Sequence, residues 1–216
     1  MKKEILRFIT NFIVLILMGC SSKIIPLTNA NLDVRNRDIV SVNRDVNTLI
    51  LNNKIGDGIA IIKDLKFDEG IIEVELKGEN NPQKSFVGIA FNIQNDSIYE
   101  AVYFRPFNFQ SNEKVRREHS VQYISKPEFE WRFLRTNYKG QFESEYPRQP
   151  SPDEWFKVRV KIDGKKVFVY DQETKVELLS IERLTKQISN RIGLWTGYNS
   201  KGEFRNLKIK KLKTKY

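Results

Sequence analysis

The chain has 216 residues, 40% hydrophobic and 30% charged, enough for one globular domain with a sizeable core. Its 37 basic and 27 acidic residues leave a net charge of +10, but the excess is scattered, with local runs no longer than those at Lys165-Lys166 and in the final LKIKKLKTKY. A nucleic-acid-binding protein concentrates such charge in a stripe or face, so nucleic acid is not expected as a partner. One cysteine and one histidine exclude a disulfide framework, a thiolate cluster and a multi-histidine metal site, and no metal or cofactor is expected.

The first elements are not part of a fold. Lys2 and Lys3 precede an apolar run, Phe8–Met18, too short to span a bilayer. The run ends in Leu17-Met18-Gly19-Cys20-Ser21-Ser22, which resembles the lipobox of bacterial lipoproteins. That resemblance implies that residues 1–19 are a signal peptide, that Cys20 is acylated, and that the protein is lipid-anchored in a bacterial cell envelope, on the periplasmic or extracellular side. Residues 20–31 carry Pro26 and several Ser, Thr and Asn without a sustained period and are read as a tether.

From residue 32 to 216 the pattern is that of strands. Asp38–Asn53 alternates loosely, and Gly56 and Gly58 mark a turn before Ile59–Ile62. IIEVELKG (Ile71–Gly78) alternates cleanly, with Ile72, Val74 and Leu76 on one face and Glu73, Glu75 and Lys77 on the other. In SFVGIAFNIQND (Ser85–Asp96), Val87, Ile89, Phe91 and Ile93 face one way, and Gly88, Ala90 and Asn92 face the other. Asn95-Asp96 suits an Asx turn in preference to a calcium site built from backbone oxygens. In YEAVYFRPFNFQS (Tyr99–Ser111), Val102 and Phe104 oppose Ala101, Tyr103 and Arg105. Residues 126–153 hold four prolines and many aromatics, as expected of a functional loop or of a flap over a sheet edge. WFKVRVKIDG (Trp155–Gly164) points Phe156, Val158, Val160 and Ile162 inward and its basic residues outward. Asp163-Gly164 signals a hairpin turn into KKVFVYD (Lys165–Asp171). Val176–Thr185 reads as a short turn or strand. RIGLWTG (Arg191–Gly197) sets Ile192, Leu194 and Thr196 against Gly193, Trp195 and Gly197, and Phe204–Lys213 is a last strand with Leu207 and Ile209 inward. Many short strands with one apolar face, spaced by turns and lacking a helical period, predict an all-β, two-sheet antiparallel sandwich.

The succession FDEGIIEVELKG, SFVGIAFNIQND, YEAVYFRPFNFQS, HSVQYIS, EWFKVRVKIDGKKVFVYD, RIGLWTG and FRNLKIKK resembles the concanavalin A-like lectin/glucanase jelly roll. It is most similar to the bacterial 3-keto-disaccharide hydrolase-like domains, with YFRPFNF and HSVQY as the most specific pieces. The resemblance implies a ligand on the concave sheet: a carbohydrate or glycoside, bound or hydrolysed there. The matching positions are Tyr103, Arg105 and Asn108, then His119, Gln122 and Tyr123. His119 and Tyr123 share a parity that Gln122 does not, so they cannot all face one groove without a bulge. Arg105 offers a planar fork of donors for vicinal hydroxyls or a carboxylate. Trp131 and Trp195 offer faces for a sugar ring, Trp195 standing clear between two glycines. His119 is the candidate acid or base if the protein is an enzyme. The paired-carboxylate run of retaining glucanases is absent; Glu73-x-Glu75 is its nearest imitation and reads as a solvated strand edge. Glu100, Glu118, Glu128 and Glu130 are near the groove in sequence and form no recognisable pair. A sugar-binding module, an enzyme acting on a modified glycoside, and a structural envelope protein with no small ligand all fit these residues.

Overall fold

Alternation by twos becomes two stacked antiparallel sheets in the computed structural model, which describes residues 22–185 and 188–212. The segment expected to be a signal peptide, and Cys20, lie outside the described residues. Among those described, the first sheet runs in the order β13 (Glu177–Glu182), β12 (Lys166–Asp171), β11 (Phe156–Asp163), β6 (Gly70–Lys77), β15 (Gly202–Lys211), β4 (Thr48–Leu51) and β3 (Ile39–Asn43), with β1 (Lys23–Ile24) also pairing with β15. The second runs β10 (Glu143–Ser144), β9 (Val121–Lys126), β8 (Tyr99–Phe104), β7 (Val87–Phe91), β14 (Gly193–Thr196), β5 (Gly58–Ile62) and β2 (Leu32–Arg35). The expected all-β sandwich is therefore the observed fold. Two short helices, α1 (Lys114–Arg117) and α2 (Trp131–Asn137), interrupt it. Both are shorter than the window over which a 3.6-residue period becomes visible.

The core lies between the sheets. Val158 sits opposite Val74 in the β11–β6 ladder, and Ile72, Leu76, Val160 and Ile162 fill the same face, all essentially inaccessible to solvent. Phe104 of the second sheet meets Phe156 of the first at 5.3 Å between ring centroids. Phe109 and Tyr146 close the cluster edge-on. On the outer face of the first sheet the charges pair across strands: Arg159 meets Glu73 at 2.7 Å and Arg205 meets Glu75 at 2.7 Å. The Glu73-x-Glu75 pair thus lies on the outer face of the first sheet, half-buried under its arginine partners, as its parity predicts. In β15 the register shifts between Arg205 and Lys208, with Asn206 at a φ of 55°. This bulge turns both Phe204 and Leu207 into the core, although strict alternation would separate them.

Two departures from the sequence reading concern the interior. The segment taken as a tether packs against the sandwich: β1 pairs with β15, and Ile25 and Leu27 are buried. Two apolar residues are too few to show a period. Glu100, placed near the groove by its position in the sequence, is fully buried on the core face of β8. Arg183 grips it through Nη2 at 2.6 Å and through Nε, while Tyr123 Oη donates to it at 2.6 Å and Asn92 Nδ2 at 2.8 Å. Arg183 follows β13 of the opposite sheet, so this ion pair ties the two layers together. A buried carboxylate survives because its acceptor sites are so well occupied.

Candidate functional site

One register row crosses the outer face of the second sheet. Glu143 lies opposite Gln122, Gln122 opposite Tyr103, Tyr103 opposite Gly88, Gly88 opposite Trp195, and Trp195 opposite Ile59. Gly88 is required there, because a Cβ would lie 2.2 Å from the Val102 carbonyl oxygen and 2.6 Å from Tyr103 Cα. With no side chain between them, the Tyr103 and Trp195 rings lean together across β7 to a centroid separation of 4.8 Å. They form the floor of a cleft of about 730 Å³, a size suited to a small ligand.

The cleft brings together Tyr103, Arg105, Asn108, His119, Trp131 and Trp195 from the sequence-derived candidates. Two candidates fall elsewhere. Gln122 lies beneath the cleft, fully buried; its Nε2 donates to the Tyr123 and Phe142 carbonyls, and its Oε1 receives a long 3.4 Å contact from Arg105. Tyr123 points the opposite way, into the interior, where its hydroxyl donates to Glu100 and accepts from the Leu184 amide at 3.2 Å. It is not a cleft residue; burial and the nearby carboxylate push its phenol well above the ordinary range. The parity conflict is thus resolved in favour of Gln122, with His119 placed by the turn before β9 rather than by the strand.

Trp195 also differs from the expected free-standing platform. It is 3% exposed, its indole N–H donates to Tyr99 Oη at 3.1 Å, and Tyr103 covers one side. Gly197 does not expose it: that glycine lets Phe86 and the indole close in, since a Cβ would come within 2.8 Å of both. The accessible ring is Trp131 on α2, 38% exposed and flanked by the guanidinium groups of Arg132 and Arg135 at 5.3 and 5.0 Å.

Arg105 is 6% exposed and anchors the wall. Its Nη1 donates to the His119 carbonyl at 2.6 Å and its Nη2 to Tyr103 Oη at 2.7 Å, with the guanidinium 4.9 Å from the Tyr103 ring centroid. These acceptors are neutral. Burial pulls its pKa below the ordinary arginine value, and burial likewise pushes the Tyr103 phenol up to about 12. His119 Nδ1 lies 2.9 Å from Glu143 Oε2 without the alignment of a hydrogen bond. Arg135 holds that same carboxylate by a two-nitrogen fork, at 2.7 and 3.0 Å. Desolvation lowers the His119 pKa, outweighing the attraction of Glu143, with Arg135 and Arg105 acting in the same direction as desolvation. The imidazole is therefore neutral near pH 7.

Several residues in and beneath the cleft are not among the sequence-derived candidates. Lys126 Nζ bridges Asp57, at 3.0 Å, and Glu130, at 3.3 Å, and so joins the β5 side of the cleft to the α2 side. Asp57 also accepts from Tyr99 Oη at 2.7 Å. Lys126 shares a parity with Gln122 and was legible in principle. Asp57 sits between two glycines in a turn, and Glu143 lies in the proline-rich stretch, where no period exists. Behind the Asp57 wall the buried Arg37 donates to the carbonyls of Asn36, Gly56 and Gly197, fixing three loops to one another.

Neither a protein-family model nor a curated protein sequence matches the chain. Solved structures do. The chain is similar to the carbohydrate-binding module CBM66 from Bacillus subtilis, with a TM-score of 0.54 and 9% identity over 83% of this chain and 95% of that one. It is similar to a candidate glycosyl hydrolase from Parabacteroides distasonis, with a TM-score of 0.52 and 13% identity over 85% and 89%. It is also similar to the exoplasmic/lumenal domain of VIP36 in a Ca2+/Man3GlcNAc-bound form, with a TM-score of 0.57 and 11% identity over 90% of each chain. At such identities the likeness carries the architecture and not the chemistry: the chain has a lectin-like, two-sheet antiparallel β-sandwich fold.

Proposed function

We propose that this protein is a lipid-anchored component of the bacterial cell envelope that binds carbohydrate in the cleft on the second sheet. The observation that carries this reading is the cleft itself: an aromatic floor of Tyr103 and Trp195, an accessible ring at Trp131, and polar groups of Arg105, Asn108 and His119 converging on one space. Saccharide sites combine an apolar surface for the ring faces with a few fixed donors for the hydroxyls. The sandwich neighbours that bind sugars support the reading at the level of fold. The anchor rests on Leu17-Met18-Gly19-Cys20; stable attachment needs more than one acyl chain. Trp131→Ala should weaken binding in a glycan-array and calorimetric assay while leaving the melting temperature unchanged, because the ring is exposed. A broad sugar panel that gives neither heat nor thermal stabilisation would favour a structural role instead. Cys20→Ala should abolish acyl labelling, and unchanged labelling would remove the anchor.

A second reading, hydrolysis of a glycoside such as a 3-keto-disaccharide, is favoured by one feature. His119 is a neutral imidazole on the cleft wall beside a carboxylate, a state fit to accept a proton. If product analysis reveals turnover, His119→Gln should abolish it with binding retained; turnover that survives that change assigns the chemistry elsewhere.

A further inference from the structure

The charges around the cleft do not balance, and the imbalance has a location. Five cationic side chains line it: Arg105, Arg116, Lys126, Arg132 and Arg135. The lining carboxylates are Asp57 and Glu130, and both are taken by Lys126. Glu143, beneath the wall, is gripped by Arg135, and Arg116 meets Glu113 at 3.0 Å on the surface. Among the described residues, Arg105 and Arg132 have no carboxylate partner.

For Arg132, which is solvent-exposed, this is unremarkable. For Arg105 it is costly. A buried cation hydrogen-bonded only to a carbonyl, a phenol and a distant amide, with Glu143 acting on it through space while engaged by Arg135, is stabilised less than one directly paired with an anion, and desolvation is the dominant influence on it. The guanidinium is also pre-oriented, stacked against Tyr103 at 4.9 Å and Phe86 at 5.9 Å. A planar fork held in this way suits a two-oxygen anion better than a single hydroxyl.

We propose that the saccharide taken by this cleft is acidic, a sugar bearing a carboxylate or a sulfate, with its anionic group seated on Arg105 and Arg132 reaching it from the rim. This rests on the carbohydrate reading above and narrows it to a substrate class.

The test is calorimetric titration of the full chain, held in detergent, with three probes of equal length: an oligogalacturonide, a sulfated galactan oligosaccharide, and a neutral galactan oligosaccharide. Acidic probes should bind at least tenfold more tightly than the neutral one, and the better of the two assigns carboxylate or sulfate. Arg132→Gln, at an exposed position, should reduce acidic binding severalfold and neutral binding by less, since its guanidinium also lies over Trp131. Arg105→Lys retains charge but loses the fork, and should reduce the acidic preference itself. Equal affinity for neutral and acidic probes would overturn the inference and leave carbohydrate binding standing. Acidic preference that survives unchanged in both variants would overturn the assignment to these two residues. No binding of any probe would overturn the acidic-saccharide inference, and the broad sugar panel described above would then decide the carbohydrate reading by itself.

Discussion

Tyr123→Phe separates a cleft residue from a core residue more sharply than any other single change. The substitution deletes one hydroxyl and keeps the ring against Phe142 at 5.8 Å. The lost hydroxyl donates to the buried carboxylate of Glu100 at 2.6 Å and accepts from the Leu184 amide at 3.2 Å. A hydrogen bond to a charged group contributes roughly 1.5–3 kcal/mol. Glu100 keeps Arg183 and Asn92, so its charge is not abandoned, and the cost should fall near the middle of that range, about 2 kcal/mol. For a domain of this size each kcal/mol lowers the melting temperature by roughly 2–4 °C, which predicts a drop of about 4–8 °C. Urea unfolding should show a lower midpoint at constant slope, since the surface exposed on unfolding does not change. Saccharide affinity should stay within twofold. Tyr103→Phe is the complement, because its hydroxyl accepts from Arg105 inside the cleft, and it should weaken binding. If Tyr123→Phe leaves stability intact and costs tenfold in affinity, the orientation of β9 described above is wrong.

His119 is the chain's only histidine, so its imidazole protons can be followed by NMR without competing signals. Its pKa should titrate below the usual 6.5, because desolvation outweighs Glu143. Since the unfolded chain then binds the proton more readily, stability should fall as pH drops through 6.5 toward the folded pKa; His119→Gln should flatten that slope, and a slope unchanged by the substitution would point to another group. Val158→Asp should be severely destabilising, because Val158 is fully buried against Val74 and an unpaired charge there has no compensation. Lys157→Asp, one residue away on the half-exposed face, should be mild by comparison; equal losses in chemical denaturation would contradict the inward and outward assignment.

Period-two alternation was enough to read most of the sandwich. β6 and β11 show one buried and one half-exposed face, as their spelling predicts, since strands with a wet face keep that contrast. Alternation failed where both faces are covered. In β8 and β9 nearly every residue is buried, so polarity no longer marks direction, and only the register row distinguishes Gln122 from Tyr123. It failed again at Trp195, where flanking glycines were read as clearance. Glycine removes bulk, and the neighbouring rings moved into the vacated space. The far side was beyond reach for a different reason: Asp57 and Glu143 come from a distant turn and a two-residue strand, and their meeting with Lys126 and its neighbours depends on closure of the whole sheet.

Of the seven residues in α2, only Leu134 is buried. Leu134 packs into the core and Arg135 holds the buried Glu143, whereas Trp131 and Arg132 stand exposed at the cleft, where the sandwich interior does not depend on them. Recognition can therefore drift while folding stays put. Descendants of this sequence could exchange one ligand for another by rewriting Trp131, Arg132 and their exposed neighbours, and a library randomised at those positions would sample new specificities on an unchanged scaffold.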